Sequence, residues 1–240
     1  MERLGAAVEE RIVVKALERA GIKVSPETVN RTVLFIDHLI DVNKTVNLTT
    51  ITDDKMIGTR HLQDSWMLCP HIPDRSTLID IGSGAGFPGL ALKIVRPDLD
   101  VTLLDSVRKK TDFLDSAIER LGLSHVRAIH GRAEELGRDL LYRDRFGVAV
   151  ARAVTALPAL LELSLPLVKP GGLLIAMKGQ DDETTGLDYA LKQLKGRLEK
   201  IIKYELPDTD YTRSLVIIKK LLPTPSRYPR RMAAIRKNPL

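Results

Sequence analysis

The chain has 240 residues, 44% of them hydrophobic and 28% charged, an ordinary balance for a globular protein with a sizeable core. Its formal charge of +6 is uneven. Arg227, Arg230, Arg231, Arg236 and Lys237 lie in residues 223–240 with no acid beside them, so +5 of the +6 sits there. No stretch approaches the ~18 apolar residues of a membrane span, no apolar h-region follows Met1, and the single Cys69 fits a reducing cytoplasm.

In chain order, Val8, Ile12, Ala16 and Ala20 recur at helical spacing up to Gly21. Ser25-Pro26 then supplies an N-cap and a first-turn proline for a second helix with the stripe Val29, Val33, Ile36 and Ile40. A polar, turn-rich link, Asn43 to Thr49, precedes a third helix expected over about 53–68. From residue 76 strand and helix patterns alternate, as in a mostly parallel sheet with crossover helices. Strands are predicted at about 77–81, 101–105, 126–130, 146–151 and 172–177, with helices near 88–95, 108–121, 133–140 and 155–167. After Gly179-Gln180 a helix at about 184–197 leads to strands near 198–206 and 213–220. Only Pro207-Asp208-Thr209-Asp210 separates those two, too short a link for a helical crossover, so they should pair antiparallel. The expected fold is α/β and Rossmann-like: seven strands, mostly parallel, ending in an antiparallel hairpin. That is the arrangement of class I S-adenosylmethionine-dependent methyltransferases. The expected division is a helical extension over 1–70, the core over 71–222 and a basic tail over 223–240.

The most informative run is Leu78-Ile79-Asp80-Ile81-Gly82-Ser83-Gly84-Ala85-Gly86-Phe87-Pro88-Gly89, a buried strand, a glycine turn and a helix start. The spacing G-x-G-x-G differs from the G-x-G-x-x-G of a dinucleotide pyrophosphate cradle and turns the reading from NAD toward S-adenosylmethionine. Asp105, at the end of the next strand, stands where a carboxylate can reach a ribose, and Asp80 could serve the ammonium of the methionine end. Ala133 and Glu134, after the third strand, either flank an adenine or simply place acids at a helix start. Arg152 follows the apolar fourth strand. It could hold the cofactor carboxylate, lie beside the transferred methyl, or close a salt bridge across the strand ends. Lys178, in the matching place after the fifth strand, steers a phosphate or guanine O6 or is merely solvated. His61 and Asp64, at i and i+3, read as a general-base pair or as a structural hydrogen bond. No Cys/His cluster has metal-ligand spacing, so no metal is expected.

These residues make the chain resemble the bacterial small-subunit rRNA guanine-N7 methyltransferase family, formerly called glucose-inhibited division protein B. The resemblance rests on Asn47-Leu48-Thr49, the His61 to Ser65 segment, the Asp80 to Gly89 loop, Leu104-Asp105-Ser106, Arg132-Ala133-Glu134, Arg152-Ala153-Val154, Lys178-Gly179 and Tyr228-Pro229-Arg230. It implies that Gly82, Phe87, Ala133, Glu134 and Arg152 contact S-adenosylmethionine, with Asp105 and Ser106 on the ribose side; Gly84 of the loop is a further candidate cofactor contact. It also implies methyl transfer to guanine N7 in 16S rRNA, presented as RNA or as the small ribosomal subunit, by a cytoplasmic monomer. The catalytic residue is left unnamed, with Arg152 and Lys178 as positioning candidates. Lys178, Arg227, Arg230 and Arg231 are the candidate RNA contacts, and the tail is expected to grip RNA without affecting cofactor affinity. One departure is Met232-Ala233-Ala234-Ile235, where family tails continue with Gly-x-Pro. Other readings are a methyltransferase of the same fold acting on a small molecule or protein, and a non-catalytic RNA-binding protein.

Overall fold

A computed structural model describes residues 8–179 and 187–240. Helix α1 (Glu10–Arg19) buries Val13, Ala16 and Leu17. Helix α2 (Pro26–Val46) starts as its sequence dictates: the Ser25 hydroxyl accepts the Thr28 N–H at 3.2 Å, and Pro26 follows. It ends at Asn47, whose φ of 55° stops the helix. The third helix departs from expectation. It begins as α3 (Asp54–Met56), capped by the Asp53 carboxylate, widens into a π-helical segment (Ile57–Gln63), and closes as α4 (Asp64–Trp66). Close packing accompanies the irregularity: a Cβ on Gly58 would lie 2.5 Å from the Ile12 side chain of α1. A π segment redirects side chains relative to a regular helix and is common at functional sites.

Among the described residues the sheet has seven strands in the order β3-β2-β1-β4-β5-β7-β6. Strands β1 (Thr77–Ile81), β2 (Asp100–Asp105), β3 (Val126–His130), β4 (Phe146–Arg152) and β5 (Val168–Lys178) run parallel; β6 (Gly196–Glu205) and β7 (Thr212–Lys220) form the expected antiparallel hairpin. The chain reverses its direction of travel between β1 and β4, so the crevice at their carboxyl ends is the topological switch point where ligands bind. Side chains alternate across the sheet: Leu78 enters one core layer, Ile79 and Ile81 the other. The first layer holds α1, α2, α5 (Gly89–Val95) and α6 (Arg108–Arg120), with Phe35, Trp66 and Leu114 at its centre. Trp66 fastens the N-terminal helices by donating its indole N–H to the Ala91 carbonyl at 2.9 Å. The second layer is built from α8 (Leu157–Ser164) and α9 (Leu187–Leu194). The first residues expected of the helix at 184–197 lie outside the described residues.

Two further differences have physical causes. Helix α7 (Ala133–Leu136) is shorter than its predicted span: it stops at Gly137, whose carbonyl accepts from the Arg143 guanidinium at 2.6 Å, and Pro229 packs 2.9 Å from where a Cβ on Gly137 would stand. The basic tail folds onto the core and ends in α10 (Met232–Lys237), with Tyr228 and Ile235 buried in the second layer. The fully buried Glu162 carboxylate accepts the Arg230 backbone N–H at 2.8 Å and a two-pronged guanidinium grip at 2.8 and 2.6 Å. Arg143 donates to the Thr224 and Tyr228 carbonyls at 2.6 and 2.8 Å. Removing one partner from a buried ion pair strands the other charge. Arg230→Ala should therefore destabilise the protein by about 3 kcal/mol, at the low end for such pairs because the arginine is partly exposed. Urea unfolding checks this, and an unchanged midpoint would show that the tail is not anchored there.

Candidate active site

The glycine turn after β1 folds back on β2. Gly82, Gly84 and Gly86 take φ of 73°, 55° and 90°, a region costly for side chains with a Cβ. The Gly82 and Ser83 N–H groups donate to the Leu104 carbonyl at 2.8 and 3.0 Å. The Asp105 carboxylate accepts from the N–H of Gly84 and of Val107, both at 2.9 Å. Asp105 thus shapes the loop and also lines the cleft in front of it. Asp80, expected near the ammonium of the methionine end, lies behind the loop. It is sealed from solvent, one oxygen accepting the Gly89 N–H at 2.8 Å and the other without a partner, and burial raises its pKa to about 7. Through Gly89 it braces the loop from behind.

Two clefts open along the carboxyl ends of the strands. The smaller, about 310 Å³, is lined by Gly82, Asp105, Ser106, Ala133 and Glu134, so five predicted cofactor positions converge there. The larger, about 820 Å³, is lined by Thr49, Arg60, His61, Asp64, Arg152, Lys178 and Arg213. They meet at Ala153-Val154, which line both. Val154 covers Gly82 so closely that a Cβ there would lie 2.8 Å from its methyl.

Arg152 is the hub of the larger cleft. One guanidinium nitrogen donates to the Arg60 carbonyl at 2.8 Å and the Asp64 carboxylate at 3.2 Å; the other lies 3.2 Å from His61 Nδ1. Arginine only donates, so His61 Nδ1 must accept and the ring proton sits on Nε2, which donates to Thr49 Oγ1 at 3.0 Å. Thr49 is held in turn by reciprocal bonds with the Asn43 amide, both at 2.9 Å. The His61 ring stacks on Phe87 at 4.4 Å, nearly parallel, and the Arg152 guanidinium lies 5.5 Å from the same ring. Burial first, then the Arg152 and Arg60 charges, lower the His61 pKa to about 3. His61 and Asp64 therefore meet through Arg152, and neither a free general base nor a direct His–Asp bond describes them. Asp64, almost fully buried, also accepts the Tyr204 hydroxyl at 2.7 Å, and Arg213 approaches it at 4.0 Å.

Phe87 thus lies beneath the larger cleft, and Gly84 is held against Asp105. Lys178 donates to the Thr155 carbonyl at 2.9 Å on the cleft wall. Arg227 bonds Gln193 at 2.6 Å, Arg230 is engaged by Glu162, and Arg231 lies on the tail surface. Local patterns gave no indication of Tyr204 and Arg213, which reach the site from the distant hairpin, or of Met232 and Arg236, which line the smaller cleft from the tail. Two residues of the tail thus lie on the wall of the smaller cleft.

A family model described as rRNA small subunit methyltransferase G, GidB, matches residues 28–212. The chain belongs to that family. Among curated relatives, ribosomal RNA small subunit methyltransferase G of Acetivibrio thermocellus is 44% identical over 96% of both chains, and that of Clostridium novyi is 41% identical over 94% of both. Solved structures share the fold at low identity. An S-adenosylmethionine-dependent methyltransferase of Aquifex aeolicus has a TM-score of 0.53 at 15% identity, covering 75% of this chain and 97% of its own. The Bacillus subtilis tRNA methyltransferase TrmK has 0.55 at 14%, covering 69% of this chain and 68% of its own. The family and fold are those of S-adenosylmethionine-dependent methyltransferases. The smaller cleft fits that cofactor: a carboxylate faces it, and its glycine wall leaves no room for a side chain at position 82.

Gly82→Ala combines left-handed backbone strain with the Val154 clash and should weaken S-adenosylmethionine binding about tenfold or more, read by calorimetry. Unchanged affinity would place the cofactor elsewhere. The His61 ring should remain neutral and Nε2-protonated from pH 8 to pH 5 in nitrogen-resolved NMR, since its pKa lies near 3. A titration midpoint near the ordinary ~6.5 would contradict the Arg152–His61 contact.

Proposed function

We propose that this protein transfers the sulfonium methyl of S-adenosylmethionine to N7 of one guanine in small-subunit 16S rRNA. The observation that carries the reading is the meeting, at Ala153-Val154, of an acid-bearing cofactor cleft with a larger cleft lined by Arg60, Arg152, Lys178 and Arg213. The bound cofactor supplies an electrophilic methyl on a positively charged sulfur. Guanine N7 carries an unprotonated lone pair at neutral pH, so the reaction asks for positioning and charge placement without a base. The larger cleft suits that demand. Its imidazole has its free lone pair occupied by Arg152, and Arg152 is itself fixed by Asp64 and the Arg60 carbonyl. Arg152 is the positioning residue at the junction, and Lys178 points its charge toward the same wall. Among the described residues no group of acids, histidines or cysteine could hold a metal ion.

A guanine reaches such a site only when splayed from its stack. Exposed Tyr211 stands beside the larger cleft with the Arg60 guanidinium 4.4 Å over its ring and Arg213 5.8 Å away. Aromatic and guanidinium planes are the usual supports for unstacked RNA bases. Lys178, Arg227 and Arg231 supply phosphate contacts, and Arg230 fixes the tail that carries two of them. Residues 1–70 then serve as a wall of the substrate cleft, 71–222 as the catalytic core and 223–240 as a basic flank, in a monomer working in the cytoplasm.

Incubated with unmodified small-subunit particles and labelled cofactor, the protein should introduce one methyl per particle. Borohydride–aniline treatment should then cut the RNA at a single guanine; label without cleavage would exclude N7. Base stacking contributes about 1–3 kcal/mol per base. Tyr211→Ala should accordingly raise the KM for RNA about tenfold while leaving S-adenosylmethionine affinity unchanged, and an unchanged KM would remove Tyr211 from the substrate path.

A further inference from the structure

The C-terminal helix reaches the smaller cleft from outside the sheet. Met232 and Arg236, four residues apart on α10 and so on one face, line that cleft together with Asp105, Val107 and Glu134. No ligand is needed to put them there. Tyr228 and Ile235 are buried in the core layer, Arg230 is gripped by Glu162, and Arg143 holds the carbonyls of Thr224 and Tyr228. Pro229 fills the space above Gly137, the residue that ends α7 and lies three positions beyond Glu134. The tail is therefore fixed against α7, the short helix that carries two of the expected cofactor contacts, Ala133 and Glu134. No carboxylate among the described residues pairs with Arg236, so its guanidinium is available to the cleft.

We propose that α10 is the outer wall of the cofactor site, with Arg236 and Met232 contacting the adenosine half of S-adenosylmethionine; this rests on reading the smaller cleft as the cofactor site. The chemistry matches. A purine presents a flat π face and ring nitrogens that accept hydrogen bonds. A guanidinium can stack on such a face or donate to its edge. A thioether makes a polarizable contact with an aromatic ring. Asp105, on the same cleft, is the complementary acceptor for ribose hydroxyls. Adenosine is thus held between the sheet ends and a segment more than a hundred residues later in the chain, and the basic tail has a second role apart from gripping RNA.

Calorimetric titration of the full chain tests this, using S-adenosylmethionine and 5′-methylthioadenosine, a probe that retains the adenosine but lacks the amino acid. Arg236→Ala should weaken both ligands about tenfold, and Met232→Ala should weaken both to a smaller extent. Lys237→Ala, an exposed change on the same helix that does not line the cleft, should leave both affinities within about twofold of wild type. Circular dichroism melting of each variant verifies that the fold is intact. Wild-type protein that binds both ligands but is indifferent to Arg236→Ala overturns the assignment and leaves the methyltransferase reading standing. A loss with Arg236→Ala for S-adenosylmethionine alone overturns it as well, since the contact would then be to the amino-acid end. Wild-type protein that binds neither ligand overturns both readings.

Discussion

A guanidinium at the end of the central strand β4 organises the catalytic face. Arg152 carries a permanent charge into a largely buried position, so its charge needs a carboxylate and its donors need acceptors. Asp64 supplies the charge, while the Arg60 carbonyl and the His61 lone pair each receive a further N–H. All three come from one irregular helix in the N-terminal region, which is therefore tied to the sheet at the site. A regular helix would rotate these groups relative to one another. The π-helical segment through Gln63 and the α-turn from Asp64 deliver them to a single guanidinium.

The Arg152 hub has chemical consequences. His61 is kept neutral by burial and by two neighbouring cations, with its basic nitrogen already engaged, so the site is poorly suited to abstracting protons. An acceptor atom that already carries a lone pair needs no abstraction, and that is the property of guanine N7. The same network sets rigidity. Phe87 of the glycine loop stacks under His61, and Tyr204 of the hairpin donates to Asp64, so loop, helix and hairpin share one set of contacts. Positioning of this kind loses effect with small displacements.

Much of this was legible in the sequence, for reasons tied to particular residues. Alternating apolar strands, the Ser25-Pro26 start and the short Pro207 to Asp210 link are local signals, and the sheet and its hairpin followed them. The glycine spacing and Asp105 are also local, because the turn and the acid at the next strand end lie within one short stretch of sequence. Where chemistry depended on distant partners, local patterns failed. Asp80 read as a ligand group because it ends a strand, and nothing local showed that Gly89 would fold over it. His61 and Asp64 read as a pair by spacing, yet a residue 88 positions beyond Asp64 joins them. The tail read as a separate basic arm because its charge is local, while Glu162 and Arg143, which hold it down, are remote in sequence.

On the proposed function, the methyl crosses from one cleft to the other at Ala153-Val154. A crystal structure with S-adenosylhomocysteine bound would show the crossing point. The ribose is expected against Asp105, the adenine beside Glu134 and α10, and the sulfur directed toward Ala153-Val154 and the cleft holding Arg152. A ligand seated wholly within the larger cleft, or one whose sulfur points away from Ala153-Val154, would contradict it.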